Sequence, residues 1–210
     1  MLRTLVRLAA LLTAGFALAA GAVRLRPYED AGLRALLTTR ACEPPCFMDI
    51  PLGKARASAA IDLLDGHPWV DHVIVSERFG ATNRGFLSWA WNGAQPAWID
   101  TQTEATLWVR DQVVRFVRVQ TRIRFGDLWL AVGPPAKGSF RVEGEFLTYK
   151  PIIVHHAVFP QLGFTAQFTS PCPYRATAFW NEPVELQFYA TLSESFTDYD
   201  LRAWLRDLSC

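Results

Sequence analysis

The stretch Ile123-Arg-Phe-Gly-Asp-Leu-Trp-Leu-Ala-Val-Gly-Pro-Pro135 decides how the chain is read, because it repeats an earlier stretch in outline. Gly126 leads into a short helix over 127–132, and Gly133, Pro134 and Pro135 stop it, since proline lacks the N–H that a helix interior needs. Asp127 falls at the N-cap or in the first turn, where a carboxylate meets free N–H groups. Earlier, Ile50-Pro-Leu-Gly53 leads into an alanine- and leucine-rich helix at about 55–65. Gly66 stands where a helix commonly turns left-handed, and Pro68 blocks continuation.

Strand-rich sequence comes after both helices. After the first stand Val70–Phe79, Phe86–Trp91, Ala97–Asp100, Thr106–Val109 and Val113–Gln120, separated by turn signals such as Asn83-Arg-Gly85 and Asn92-Gly93. After the second stand Phe140–Tyr149, Ile152–Phe159, Phe164–Phe168 and Val184–Ala190. Leu87, Trp89 and Trp91 fall on one strand face and Ser88, Ala90 and Asn92 on the other, which suits a sheet with one face packed on helices. Ser195-Phe-Thr-Asp198 and Thr197-Asp-Tyr-Asp200 are cap-like openings for a last helix ending near Leu208.

A glycine entering a short helix, a Gly-and-Pro stop and then a β-meander resembles the small exported modules of the BamE outer-membrane assembly lipoproteins. As a tandem copy it resembles the β-lactamase inhibitor protein fold. Phe125-Gly126-Asp127 through Val132-Gly133-Pro134-Pro135 carries the closer match, and Cys46 through His67-Pro-Trp-Val70 also resembles uncharacterised bacterial membrane-associated proteins. Unlike the assembly lipoproteins, this chain has no lipobox cysteine, and its two helical stretches differ in length. The resemblance implies an α+β fold and a binding or scaffold role. The expected fold is therefore α+β, with two tandem units, each a short helical segment followed by an antiparallel meander, after an N-terminal apolar helix.

That helix is the uncharged run from Leu8 to Val23, bracketed by Arg7 and Arg24. It fits a signal-peptide core and falls slightly short of the roughly 20 residues of a bilayer span. Small residues at Ala17, Ala19, Ala20 and Ala22 offer cleavage patterns, whereas a snorkelling Arg7 favours an anchor. Either reading exports the rest of the chain, to the outer face of the cell membrane or into the medium. Residues 1–27 are thus a signal peptide or transmembrane anchor, and 28–45 a linker helix, with Leu33, Leu36 and Leu37 on one side, plus a Cys-Pro loop. Residues 46–120 and 121–210 form the two units. Half of the chain is hydrophobic and the formal net charge is +1, so no basic stripe offers itself to nucleic acid.

The four cysteines, Cys42, Cys46, Cys172 and Cys210, suit two disulfides in an oxidising compartment. Cys42 with Cys46 closes a local loop stiffened by two prolines, leaving Cys172 for Cys210. A zinc site would want a second close pair of ligands, which the spacing lacks.

Candidate chemistry reads mostly as structure. Adjacent His155 and His156 point to opposite faces of a strand; His67 and His72 flank Trp69 at a helix-to-strand turn. Glu143 and Glu145 share a face but come from one strand, unlike a glycosidase pair. Asp62, Asp65, Asp198 and Asp200 suit helix solubility and capping. No nucleophile elbow, zinc helix, phosphate loop or calcium loop is present, so neither a catalytic residue, a metal nor a cofactor is assigned. Trp89 and Trp91 read as core, and Trp98 and Trp108, beside polar turns, as an exposed pair for binding. The favoured function is non-enzymatic binding of a protein or another envelope component, with membrane contact through the N-terminal segment. The runner-up is an extracytoplasmic hydrolase with a site assembled from distant residues, and a purely structural membrane-proximal role is the third reading.

Overall fold

Within residues 113–124, Val114, Val117, Val119, Thr121 and Ile123 are buried while Arg115, Arg118, Arg122 and Arg124 are exposed. Such period-two alternation gives a strand one core face and one solvent face. In the structure, a computed structural model, this segment organises the sheet. Residues 2–25, Leu33, Leu37, 42–76, 84–144, 151–192 and 195–207 are described.

The chain divides into two units, Met1–Asp30 and Ala31–Cys210. The first holds helix α1 (Leu2–Leu25). The second runs β1 (Cys46–Phe47), β2 (Ile50–Pro51), α2 (Ala57–Asp65), β3 (Val70–Val75), β4 (Arg84–Trp91), β5 (Ala105–Arg110), β6 (Val113–Arg124) and α3 (Phe125–Val132). It continues through β7 (Lys137–Gly144), β8 (Pro151–Phe159), β9 (Phe164–Pro171), α4 (Ala176–Asn181), β10 (Pro183–Tyr189), β11 (Thr197–Asp198) and α5 (Leu201–Asp207). Strands β1 and β2 pair with each other, and the other nine form one antiparallel sheet in the order β11-β7-β8-β9-β10-β6-β5-β4-β3.

This sheet corrects the expectation of two tandem helix-plus-meander units. Among the described residues more lie in strands than in helices, and the helices of the second unit are short. The reason lies in β6, which uses both edges: β5 pairs with one and β10 with the other, so strands from both halves of the sequence share a single ladder. Val119 faces Leu186 and Val117 faces Phe188 across that seam, and all four are buried in one continuous core. The expected N-terminal apolar helix is corrected too. Although Leu2–Leu25 is helical, among the described residues no helix is long and apolar enough to cross a membrane. Its uncharged run has sixteen residues, Leu8 to Val23, short of the roughly 20 that a bilayer needs.

Ala97–Asp100 forms no strand; Ile99 makes only an isolated bridge to Thr121. Gly66 ends α2 in a right-handed conformation (φ −84°), not a left-handed one. Asp127 lies in the first turn of α3, and the Asp200 carboxylate accepts from the Ala203 N–H at 2.9 Å at the start of α5. Leu33 and Leu37 are helical and buried, while Leu36 lies outside the described residues.

Helices α2, α3, α4 and α5 of the second unit pack on one side of the sheet. Ala57, Ala60 and Leu64 of α2, Phe125, Leu128 and Ala131 of α3, and Phe179 of α4 enter the same core as Leu87, Trp89 and Leu107. On α5, Trp204 stacks on Phe140 of β7 at 6.1 Å. Gly138 makes that approach possible, since a Cβ there would meet the His156 carbonyl, Tyr199 and Trp204. The opposite sheet face carries no described helix of the second unit.

The seam has its own fastening. Register shifts between Pro183 and Glu185, and the Val184 carbonyl accepts from the buried Thr121 hydroxyl at 2.5 Å. Removing one partner of a buried hydrogen bond strands the other. Thr121→Val is therefore expected to destabilise the domain by about 1–3 kcal/mol in urea denaturation, and Thr121→Ser to recover most of the loss. Equal stability of Thr121→Val and the parent would show that the seam does not use this bond.

Candidate functional site

The helix-free face is assembled by register. Phe86 of β4 stands opposite Trp108 of β5, Trp108 opposite Phe116 of β6, and Phe116 opposite Tyr189 of β10. Directly opposed residues share a face, so the four rings form one row across four strands. Ring centroids lie 6.3 Å apart for Phe86 and Trp108 and 4.7 Å apart for Phe116 and Tyr189. Trp108 is 54% exposed and Phe86 46%, whereas Phe116 and Tyr189 are half-buried.

A groove of about 650 Å³ lies on one side of Trp108, lined by Arg110, Asp111, Arg115, Phe116 and Tyr189 among others. A second, of about 480 Å³, includes Ser76, Arg84 and Phe86 and shares Trp108, Val109 and Arg110 with the first. Two local devices shape them. Asp111 and Gln112 both adopt positive φ (55° and 60°), the tight hairpin geometry that suits twisted strands. A bulge comes next: Trp108 pairs with Phe116 but Val109 with Val114, so Arg115 is the extra residue and enters the larger groove. Among the described residues, the linings carry Arg84, Arg110 and Arg115 against a single acid, Asp111, which lies 3.7 Å from Arg110.

Beside the ring row runs a chain of polar side chains whose direction is set by a carboxylate. Glu185 can only accept, so Gln187 turns its Nε2 towards it (2.5 Å) and donates also to Gln167 Oε1 (2.6 Å). The Gln187 carbonyl then receives the Tyr189 hydroxyl at 2.5 Å. Gln167 Oε1 is also 3.1 Å from His156 Nε2, which must carry the proton, leaving Nδ1 to accept from Ser139 Oγ at 3.1 Å. Burial, and secondarily Arg141, hold the His156 pKa below its ordinary value. Burial, then the neighbouring Glu185, raises that of Tyr189. Arg118 approaches Glu185 at 3.8 Å from β6.

His155 faces the other way. It is fully buried, its Nε2 is 2.9 Å from the Tyr199 hydroxyl, and its Nδ1 has no hydrogen-bond partner among the described residues. Phe125, Phe140, Phe168 and Phe179 surround the imidazole at 4.7 to 5.6 Å between centroids. Desolvation, with a smaller contribution from His156, lowers its pKa to about 3. It serves the core.

Cys42 and Cys46 form a disulfide. Cys172 is also disulfide-bonded, and Cys210 lies outside the described residues. Of the expected exposed tryptophan pair, Trp108 is exposed but Trp98 is buried. Trp98 is drawn in because its carbonyl accepts from the Arg122 N–H of β6 and its neighbour Ile99 bridges Thr121. Trp89 is fully buried beside half-buried Trp91. His67 accepts from the Trp69 N–H, and His72 pairs with Asp71. Glu143 pairs with Arg141, and Glu145 lies outside the described residues. Among the described residues no group of three or more His, Cys, Asp or Glu is placed to hold a metal ion. Sequence reading missed Phe86, Phe116 and Tyr189 as surface rings. Trp108 stood out beside polar turns, but its alignment with Phe86, Phe116 and Tyr189 across four strands is a long-range fact.

In comparisons with known proteins, no family model, no curated protein and no solved structure matches this chain.

A neutral buried histidine makes folding pH-dependent. The unfolded chain binds a proton on His155 below about pH 6.5 and the folded chain does not until about pH 3, so stability is full above 6.5 and declines as pH falls towards 3. His155→Phe is expected to reduce that decline by about 1.4 kcal/mol per pH unit, measured as the difference in urea stability between pH 4 and pH 6. An unchanged slope would mean that His155 is protonated in the folded state.

Proposed function

We propose that residues 31–210 form an exported, non-catalytic binding domain for a component of the cell envelope, and that the helix-free sheet face is its ligand surface. The observation that carries this reading is the row of Phe86, Trp108, Phe116 and Tyr189 beside two grooves on the sheet face opposite the helices of the second unit. Contiguous exposed rings on a well-packed domain mark interaction surfaces, and tryptophan, tyrosine and arginine supply most binding hot spots. Export is supported by the Cys42–Cys46 disulfide, which suits an oxidising compartment, and by the apolar segment behind Arg3 and Arg7.

One observation favours the hydrolase alternative. Ser139, His156 and Gln167 are hydrogen-bonded in the order of a nucleophile, its base and an orienting group. Acyl transfer also needs N–H donors aimed at the developing oxyanion, and β7, β8 and β9 commit their backbone to continuous ladder pairing around these side chains. The chain of side chains therefore reads better as a brace that fixes Gln187 and Tyr189 beside the rings.

Replacing both exposed rings, Phe86→Ala with Trp108→Ala, is expected to weaken association with the isolated envelope fraction by about thirtyfold, equivalent to about 2 kcal/mol. Thermal stability should change much less than for a core ring, because both side chains are about half exposed. Ser139→Ala should leave association intact. Undiminished association in the double variant would overturn the proposed surface.

A further inference from the structure

We propose that two copies of this chain pair edge to edge through β3, antiparallel about a two-fold axis, with Ile74 of one copy opposite Ile74 of the other. This pairing does not depend on the ligand surface proposed above. The two ends of the nine-stranded sheet are guarded differently. Natural sheets blunt their free edges with charges, bulges or a covering strand, because unpaired N–H and C=O groups are a template for another strand. At one end β11 covers Lys137 and Gly138 of β7, and the exposed Arg141 and Glu143 pair with each other further along. At the other end stands β3, Val70-Asp-His-Val-Ile-Val75, and among the described residues no strand lies beyond it. Its guards occupy only its first half: a bulge between Val70 and His72, and the pair of Asp71 with His72. The second half, Val73-Ile74-Val75, has neither charge nor proline, and Ile74 and Val75 are 39% and 47% exposed.

Hydrogen bonding along β3 fixes the register of such a pairing. Ser76 donates its N–H to the Phe86 carbonyl at 3.2 Å, and bonding alternates along an antiparallel strand. Ile74 and His72 therefore also turn to β4, while Val73 and Val75 aim their N–H and C=O groups outward. Setting Val73 of each copy against Val75 of the other satisfies all four outward residues and brings Ile74 against Ile74 in the closer, non-hydrogen-bonded position. The side chains agree with the backbone. Val73 and Val75 lie opposite Trp89 and Leu87, on the helix side of the sheet, so valine meets valine there. Ile74 lies opposite Ser88 on the other side, so isoleucine meets isoleucine. The neighbouring registers lose this match: centring on Val73 sets Val75 against Asp71, and centring on Val75 sets Ile74 against Ser76. In the favoured register His72 of the second copy stands against Ser76, at the groove that Ser76 and Phe86 line.

Two other arrangements fit less well. An extended peptide from another protein has to bring apolar side chains to both faces of the sheet, which a second β3 already supplies. Head-to-tail pairing of β3 with the β7 edge of another copy meets β11 and the Arg141–Glu143 pair, and it propagates without closing.

The test is sedimentation equilibrium of the full chain in density-matched detergent. The parent is expected to dimerise in the micromolar range. Ile74→Lys and Ile74→Glu each set like charges opposite one another and should each weaken dimerisation by roughly tenfold or more, whereas an equimolar mixture of the two should return to within about threefold of the parent. Recovery in the mixture separates charge repulsion from misfolding. Ile74→Cys should give a disulfide-linked dimer under mild oxidation, because the non-hydrogen-bonded position brings the two Cα atoms to about 4.5 Å. Val75→Cys, whose two copies lie two residues out of register, should not. A parent that stays monomeric throughout the micromolar range overturns the proposal. So does a dimer that Ile74→Lys leaves intact, as one held together by α1 would be, or one that Ile74→Cys fails to cross-link.

Discussion

The pairing of β6 with β10 is the constraint on which the rest of this domain depends. It joins strands from the two halves of the sequence edge to edge and uses both faces of the junction at once. On the helix side it sets Val117 against Phe188 and Val119 against Leu186, which makes the core continuous. On the open side the same register sets Phe116 against Tyr189 and Arg118 against Gln187. A slip of one residue would exchange the faces, turning Tyr189 and Gln187 into the apolar core and Leu186 and Phe188 out of it. Core stability and surface chemistry are therefore enforced together.

Adjacent residues of β8 illustrate what a two-faced sheet does to identical side chains. His155 enters a box of phenylalanine rings and stays neutral because burial penalises its charge. His156, one residue on, becomes part of a hydrogen-bonded chain reaching from Ser139 to Glu185. That chain stiffens the surface on which the ring row lies, because each amide is oriented by its neighbour and the last by a carboxylate that can only accept.

Much of the local structure was legible in the sequence. Alternation identified most strands, the positions of His155 and His156 on opposite faces followed from period two, and the proline-stiffened loop brought Cys42 to Cys46. What escaped was long-range. Residues 113–124 and 183–189 each look like an ordinary strand, and nothing local says that they pair, so the chain read as two meanders when it forms one sheet. Trp98 failed for a related reason: its polar surroundings suggested exposure, but the Arg122 N–H and the Ile99 bridge draw it against β6. The ring row was half legible, since Trp108 stood out alone, while Phe86, Phe116 and Tyr189 gain meaning only from the alignment of four strands.

Native-state hydrogen exchange reads whether β6 and β10 weld the strands into a single sheet. The slowest amides of β6 and β10 are expected to exchange only through global unfolding, with the same free energy as the slowest amides of β5 and β9 on either side. Separate unfolding free energies for the β3-to-β6 and β7-to-β10 strands, with the seam amides opening at the lower of the two, would contradict it.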